Sequence, residues 1–372
     1  MHIRRAAVIV PACLCLACHA CLALAAAGAS TDADKQVDVA NPALLPNFNA
    51  ATDIVVYKLV LKSSDQNPPS STHVHPLQLA ANGPINIAVV YPDIGEPYRS
   101  IFSSIIAGIE DKAKAPVPAF AVGAHPDTQH LLAELRRQNV QVVIALGRNG
   151  LRATTGLDHD FSIVIGGVVT VPASEMQGNS VHSMAPDPAL LLERLRGLVP
   201  SIRRVFVVYD PRQNAWLIRL AREAAKNLGI ELVAQQAQDL RTAMRFYQED
   251  IDEANAKRDA IWLPQDTVTV EESATLPFVL QGAWARSLVV FSSSVGHVRR
   301  GALFSLYPNN VELGRNLAKY ALSHATSGSQ SSHVILPLKE VLMAVNLRTA
   351  AHVGVDLAAR QQQAFDMVYP EP

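Results

Sequence analysis

Apolar runs of strand length recur along the chain from Ile85 onward. Four follow one another at 85–91, 117–122, 140–146 and 161–169. Their hydrophobicity is nearly continuous rather than alternating, which marks strands buried on both faces, as a parallel sheet requires. Between the first two, Tyr98, Ile101, Phe102, Ile105, Ile106 and Ile109 keep a 3.6-residue spacing. That spacing predicts a helix whose apolar stripe packs on the sheet. Strand and helix in alternation mean βαβ units with right-handed crossovers.

The pattern then starts again. Four more strands are predicted at 204–210, 230–235, 259–264 and 287–293, separated by helical segments such as 214–228. The first strand of each series even ends alike, VVYPD at 89–93 and VVYDP at 207–211. This is a repeat of architecture rather than of residues. It predicts an α/β fold of two doubly wound parallel-sheet lobes.

Before Ile85 the chain reads differently. Arg4 and Arg5 precede an apolar stretch from Ala6 to about Ala27, and Ala27-Gly28-Ala29 offers a cleavage point. Residues 1–29 are thus expected to be a secretory signal peptide, which directs the protein to the periplasm. Cys15-Leu16-Ala17-Cys18-His19 spells the haem-attachment pattern, but inside a leader it is discarded with the leader. Lipid anchoring at Cys18 or Cys21 is not expected, because neither has a Leu three residues ahead. Residues 30–82, with the Ser-, Pro- and His-rich stretch at 63–76, read as an N-terminal linker. Its His73 and His75 do not make a metal site without further converging ligands.

Charge and composition narrow the classes. The chain has 372 residues and a formal charge of −1, which argues against nucleic acid or an anionic membrane as main partner. No later apolar run reaches about 18 residues, so no stable membrane insertion is expected once the leader is removed. All cysteines lie between Cys13 and Cys21, so the secreted chain has no disulfide framework, thiol nucleophile or cysteine zinc site. The remaining histidines lack metal-ligand spacing, and neither G-x-S-x-G nor H-E-x-x-H occurs. No enzyme activity, metal or cofactor is expected.

Open parallel sheets bind ligands outside the carboxyl ends of their strands, and two such edges facing each other make a cleft. In the first series the candidate ligand-binding residues are Tyr91, Asp93 and Glu96, then Gly147, Arg148 and Asn149, then Thr170. In the second they are Tyr209 and Asp210, then Gln265, Asp266 and Thr267, then Ser292, Ser293 and Ser294. Asp266 and Thr267 can equally cap a helix beginning near Val270. Arg148 is the best single candidate for an anion contact; pairing with a neighbouring acid is its other reading.

The segments PSIRRVFVVYDP (200–211), AAKNLGIELV (224–233), DAIWLPQDTV (259–268), RRGALFSLYPNNVELGRNLAKYA (299–321) and VILPLKEVLMAVNLRTAAHVGVDL (334–357) carry a resemblance. In this order they are similar to the type I periplasmic binding proteins, and more closely to the ABC-transporter substrate-binding family that includes tryptophan- and tyrosine-binding proteins. The resemblance implies a multi-strand hinge with crossings near 178–184, 299–306 and 334–345. Lobe 1 is then expected at 83–182 plus 304–336, and lobe 2 at 183–303 plus 337–372. It implies capture of a small organic ligand, an amino acid among the options, for an inner-membrane ABC permease. Thr170-Val171-Pro172 and Pro308-Asn309-Asn310 depart from the family's usual residues. They leave room for a second reading, a ligand-sensing module read by a sensor kinase or other partner. A third, an envelope hydrolase, needs a histidine within reach of Ser292, Ser293 or Ser294.

Overall fold

In the computed structural model, residues 85–157, 160–176, 178–327, 334–357 and 365–370 are described. The expected signal peptide and linker, with their cysteines and His73 and His75, lie outside the described residues.

The first sheet is built from β1 (Ile87–Pro92), β2 (Ala119–Val122), β3 (Val142–Leu146), β4 (Ser162–Val168), β5 (Val181–Pro186) and β11 (Ile335–Leu338). Its order is β11-β5-β4-β3-β1-β2, and every pairing is parallel. The second holds β6 (Arg204–Tyr209), β7 (Glu231–Gln236), β8 (Asp259–Leu263), β9 (Val289–Ser292), β10 (Phe304–Pro308), β12 (Val341–Asn346) and β13 (Met367–Tyr369). Its order is β13-β12-β10-β9-β8-β6-β7, with only β10 and β12 antiparallel. The eight strands predicted from apolar runs are all present. β3 and β8 are buried along their whole length. β2 and β7 are not: each is an edge strand with one neighbour, and its residues are partly exposed.

The helices cover both faces of each sheet. They are α1 (Tyr98–Ala113), α2 (Thr128–Arg137), α3 (Gly147–Thr154), α4 (Pro188–Leu198), α5 (Pro211–Leu228), α6 (Leu240–Glu253), α7 (Thr275–Ala285), α8 (Val295–Arg300), α9 (Asn310–Ser327) and α10 (Leu347–His352). Local sequence sets several of their starts. Asp187-Pro188 and Asp210-Pro211 open α4 and α5, each Asp accepting from a backbone N–H two residues on, with Pro in the first turn. α1 and α9 cross on the first sheet at Gly108 and Gly314. A Cβ built on Gly108 would lie 2.0 Å from the Val311 carbonyl oxygen, and one on Gly314 would lie 2.0 Å from that of Ile105. The helices therefore meet backbone to backbone.

Among the described residues the chain passes between the sheets three times. β5 stays on the first sheet to Pro186 and β10 on the second to Pro308, so the passages follow Pro186, Pro308 and Leu338. Of the expected borders, 182 and 336 fall inside β5 and β11, whereas 303 falls just before β10, which joins the second sheet rather than the first. The passages are laced together: Asp187 N donates to Leu338 O at 2.8 Å, and Asn309 N to Glu340 O at 2.9 Å.

His182 on β5 lies against the Tyr320 ring, centroids 4.6 Å apart and 70° between planes. Burial pushes its imidazole down to about 4 from an ordinary 6.5. The unfolded chain takes up this proton first, so the stability tied to the neutral ring is complete above pH 6.5 and is lost as pH falls toward 4. Over that window the loss is about 3 kcal/mol. Urea unfolding at pH 7 and pH 4.5 should show a smaller pH difference in His182→Phe than in the parent. An equal difference in both proteins would remove His182 as the cause.

Candidate ligand-binding cleft

The first rim begins where β3 turns into α3. Gly147 has φ +66°, and a Cβ there would meet Pro92 Cγ at 2.8 Å. Only glycine suits both demands. The turn brings Arg148 and Asn149 to the mouth of the cleft. Arg148 is held loosely, with Nη1 3.5 Å from Glu175 Oε2 and Nη2 3.4 Å from Thr170 O, and its side chain is half exposed. Most of its donor capacity is therefore free. Beside it Ile94, Tyr98 and Phe102 supply an apolar and aromatic wall.

The second rim is organised by Asp266. Its carboxylate accepts from Asp210 N at 2.7 Å, Asn214 Nδ2 at 2.9 Å, Val268 N at 3.0 Å and Thr269 N at 2.9 Å. One buried side chain thus ties the loop after β8 to the start of α5. Asp266 closes a turn here rather than capping a helix near Val270; the next helix, α7, starts at Thr275. Gln265 lines the cleft, and its buried Oε1 has no partner among the described residues. Glu271 accepts from the Ser273 hydroxyl and from Ser273 and Ala274 N–H groups, bonds that hold its carboxyl below the usual range.

Glu272 is shared: Oε1 stands 3.2 Å from His297 Nε2, and Oε2 accepts from Arg300 at 2.6 Å. His297 Nδ1 is in turn 2.7 Å from Ser292 Oγ. Burial lowers the His297 pKa, against the pull of Glu272. A hydrogen bond joins the rims across the gap, Thr170 Oγ1 donating to Gln213 O at 3.1 Å. Between them lies a cleft of about 910 Å3, within the range of small-molecule sites.

Residues 123–360 match the family described as ABC transporter substrate binding protein. The chain belongs to this family. Among solved structures, the ligand-free, open structure of a substrate binding protein with adhesive properties from Clostridium difficile is similar at 15% identity and a TM-score of 0.55, over 77% of this chain and 100% of that one. The ABC domain in complex with L-Trp from Streptococcus pneumonia matches at 14% identity and a TM-score of 0.47, over 76% and 100%. A conserved domain protein from Vibrio cholerae matches at 17% and 0.46, over 76% and 99%. The first of these supports the type I periplasmic binding fold. A comparison with curated proteins finds no match. Membership implies a small-molecule ligand and a membrane ABC permease as partner. No described helix is long and apolar enough to cross a membrane.

In this substrate-binding protein, Gly147, Arg148, Asn149, Thr170, Gln265, Asp266, Thr267 and Ser294 line the cleft. The other candidates lie elsewhere. Tyr91 packs against the core beside α1, Asp93 donates its N–H to Val122 O, and Glu96 accepts from Ser100 N at the start of α1. Tyr209 is a core residue, and Asp210 caps α5 and pairs with Arg212 at 2.7 Å. Ser292 and Ser293 point inward, Ser293 accepting from Trp262 Nε1 at 3.1 Å. A histidine does stand within reach of a serine, as a hydrolase requires. Yet Ser292 is 0% exposed, does not line the cleft, and also bonds Leu263 O and Ser294 N. A substrate carbonyl cannot reach that oxygen. The cluster fastens β9 to α8 and to the turn before α7.

Several cleft residues were not singled out from sequence. Tyr98 and Phe102 were read as core stripe; Phe102 is buried there, but Tyr98, at the helix start, is 59% exposed. Gln213, Glu271, Glu272 and His297 carry no spacing signal, because folding alone brings them to one gap.

Proposed function

We propose that the protein is a periplasmic receptor that captures a small zwitterion, an amino acid with an apolar or aromatic side chain, and presents it to an inner-membrane ABC importer. The observation that carries this reading is the opposition of charges across the cleft. Arg148 offers free N–H groups on one rim. Glu271, Glu272 and the unpartnered Gln265 Oε1 stand on the other. A carboxylate suits the guanidinium fork and an ammonium suits the acids. Tyr98 and Phe102 supply the apolar wall a side chain needs. Secretion follows from the basic, apolar and small-residue order of residues 1–29.

Calorimetry with the purified protein against the common L-amino acids tests the reading. At least one is expected to bind at micromolar Kd or tighter. Arg148→Ala should weaken that ligand about 10- to 100-fold through the lost charge-assisted bonds. Its unfolding midpoint should stay unchanged, because the Glu175 pair is exposed and long. No binding across the panel, or full affinity in Arg148→Ala, would overturn the proposal.

A further inference from the structure

A second cavity, of about 530 Å3, shares no lining residue with the cleft. It forms on the second lobe where the ends of α7 and α8 meet the start of α10 and β13. Arg299, Arg300 and Arg348 line it together with Trp284 and Tyr369, and no carboxylate among the described residues does. Arg300 is paired with Glu272. Among the described residues, Arg299 and Arg348 have no acidic partner.

The aromatic side is ordered as well. Trp284 is 38% exposed, stacks on His352 with centroids 3.7 Å apart and 3° between planes, and has the Arg348 guanidinium 5.6 Å from its ring centre. The floor is held by Asn346 Nδ2 donating to Val298 O at 2.9 Å and Thr349 Oγ1 to Gly301 O at 3.0 Å. The hollow is thus formed before any occupant arrives.

Like charges gathered in one hollow repel, and a bound anion relieves them. Guanidinium forks match the oxygens of a carboxylate or phosphate, and the partly exposed indole of Trp284 lines the same hollow, where its edge can contact a flat ring. We propose that this hollow is a second binding site, for a small organic anion that carries a planar ring. Aromatic carboxylates and nucleoside phosphates share that chemistry. Glu272, which lines the cleft and bonds Arg300, makes the two sites neighbours through one side chain.

The test is titration of the full chain with benzoate, adenosine 5′-monophosphate and inorganic phosphate, followed by calorimetry and tryptophan fluorescence. Binding of benzoate identifies the carboxylate source and binding of the nucleotide the phosphate source. At least one ring-bearing anion should bind saturably below millimolar concentration and quench fluorescence. Trp284→Phe should abolish most of the quench. The double variant Arg299→Ala with Arg348→Ala should weaken binding at least tenfold. The cleft variant Arg148→Ala should leave this binding unchanged, so failure here is separate from failure of the amino-acid reading. Absence of saturable binding by both ring-bearing anions overturns the proposal. So does full affinity in the double variant, or phosphate alone binding as tightly as either.

Discussion

Gly108→Ala should lower stability by about 3 kcal/mol or more, the upper end of overpacking costs. The added methyl would stand 2.0 Å from Val311 O and 3.1 Å from Arg315 N. Both are backbone atoms, so no side-chain rotation relieves the clash and α1 must lift from α9. That separation loosens Ile105, Ile109, Leu313 and Leu317, all buried in one cluster. Helix propensity alone predicts the opposite sign, since alanine gains about 1 kcal/mol over glycine inside a helix. Gly197 on α4 has open space around its missing side chain, and Gly197→Ala should be neutral or slightly stabilising. Urea unfolding followed by circular dichroism measures both. If Gly108→Ala were as stable as the parent, the close helix crossing would be refuted.

The second large effect concerns Asp266. Asp266→Ala removes the acceptor of four N–H groups, on Asp210, Asn214, Val268 and Thr269. Buried donors left unpaired cost about 1–3 kcal/mol each. Partial rehydration of the loop reduces the sum, and a net loss of about 4 kcal/mol is expected. Asp266→Asn should also lose stability, because its amide turns two donors toward other donors. Ligand affinity should fall along with the unfolding midpoint in both variants. An affinity loss at unchanged midpoint would instead mean that Asp266 holds the ligand directly.

The strands were legible because parallel strands under helices on both faces leave unbroken apolar runs, and such runs survive in one dimension. The rim residues were only half legible. Strand-end loops can be located by counting along the chain, but which way a side chain turns depends on what lies above it. Ser292 and Ser293 look like rim serines in sequence, yet a buried indole and a buried imidazole hold them inward. Asp266 looks like a helix cap and instead joins two loops 56 residues apart, from Asp210 to Asp266. Tyr98 fits the stripe of α1 by spacing, and only its place in the first turn puts it outside the core. Which sheet a strand joins was not legible for a related reason: apolar pattern shows where β10 runs, but its place is set by pairing with β9 and β12.

The lacing of the three passages has a mechanical consequence. The segment from Leu338 to Glu340 bonds the other two, at Asp187 and at Asn309. Slippage of any one passage along its neighbours would break these bonds, whereas flexing all three together keeps them. The seam therefore resists sliding of one sheet past the other, and the Thr170–Gln213 bond adds a tie between the rims.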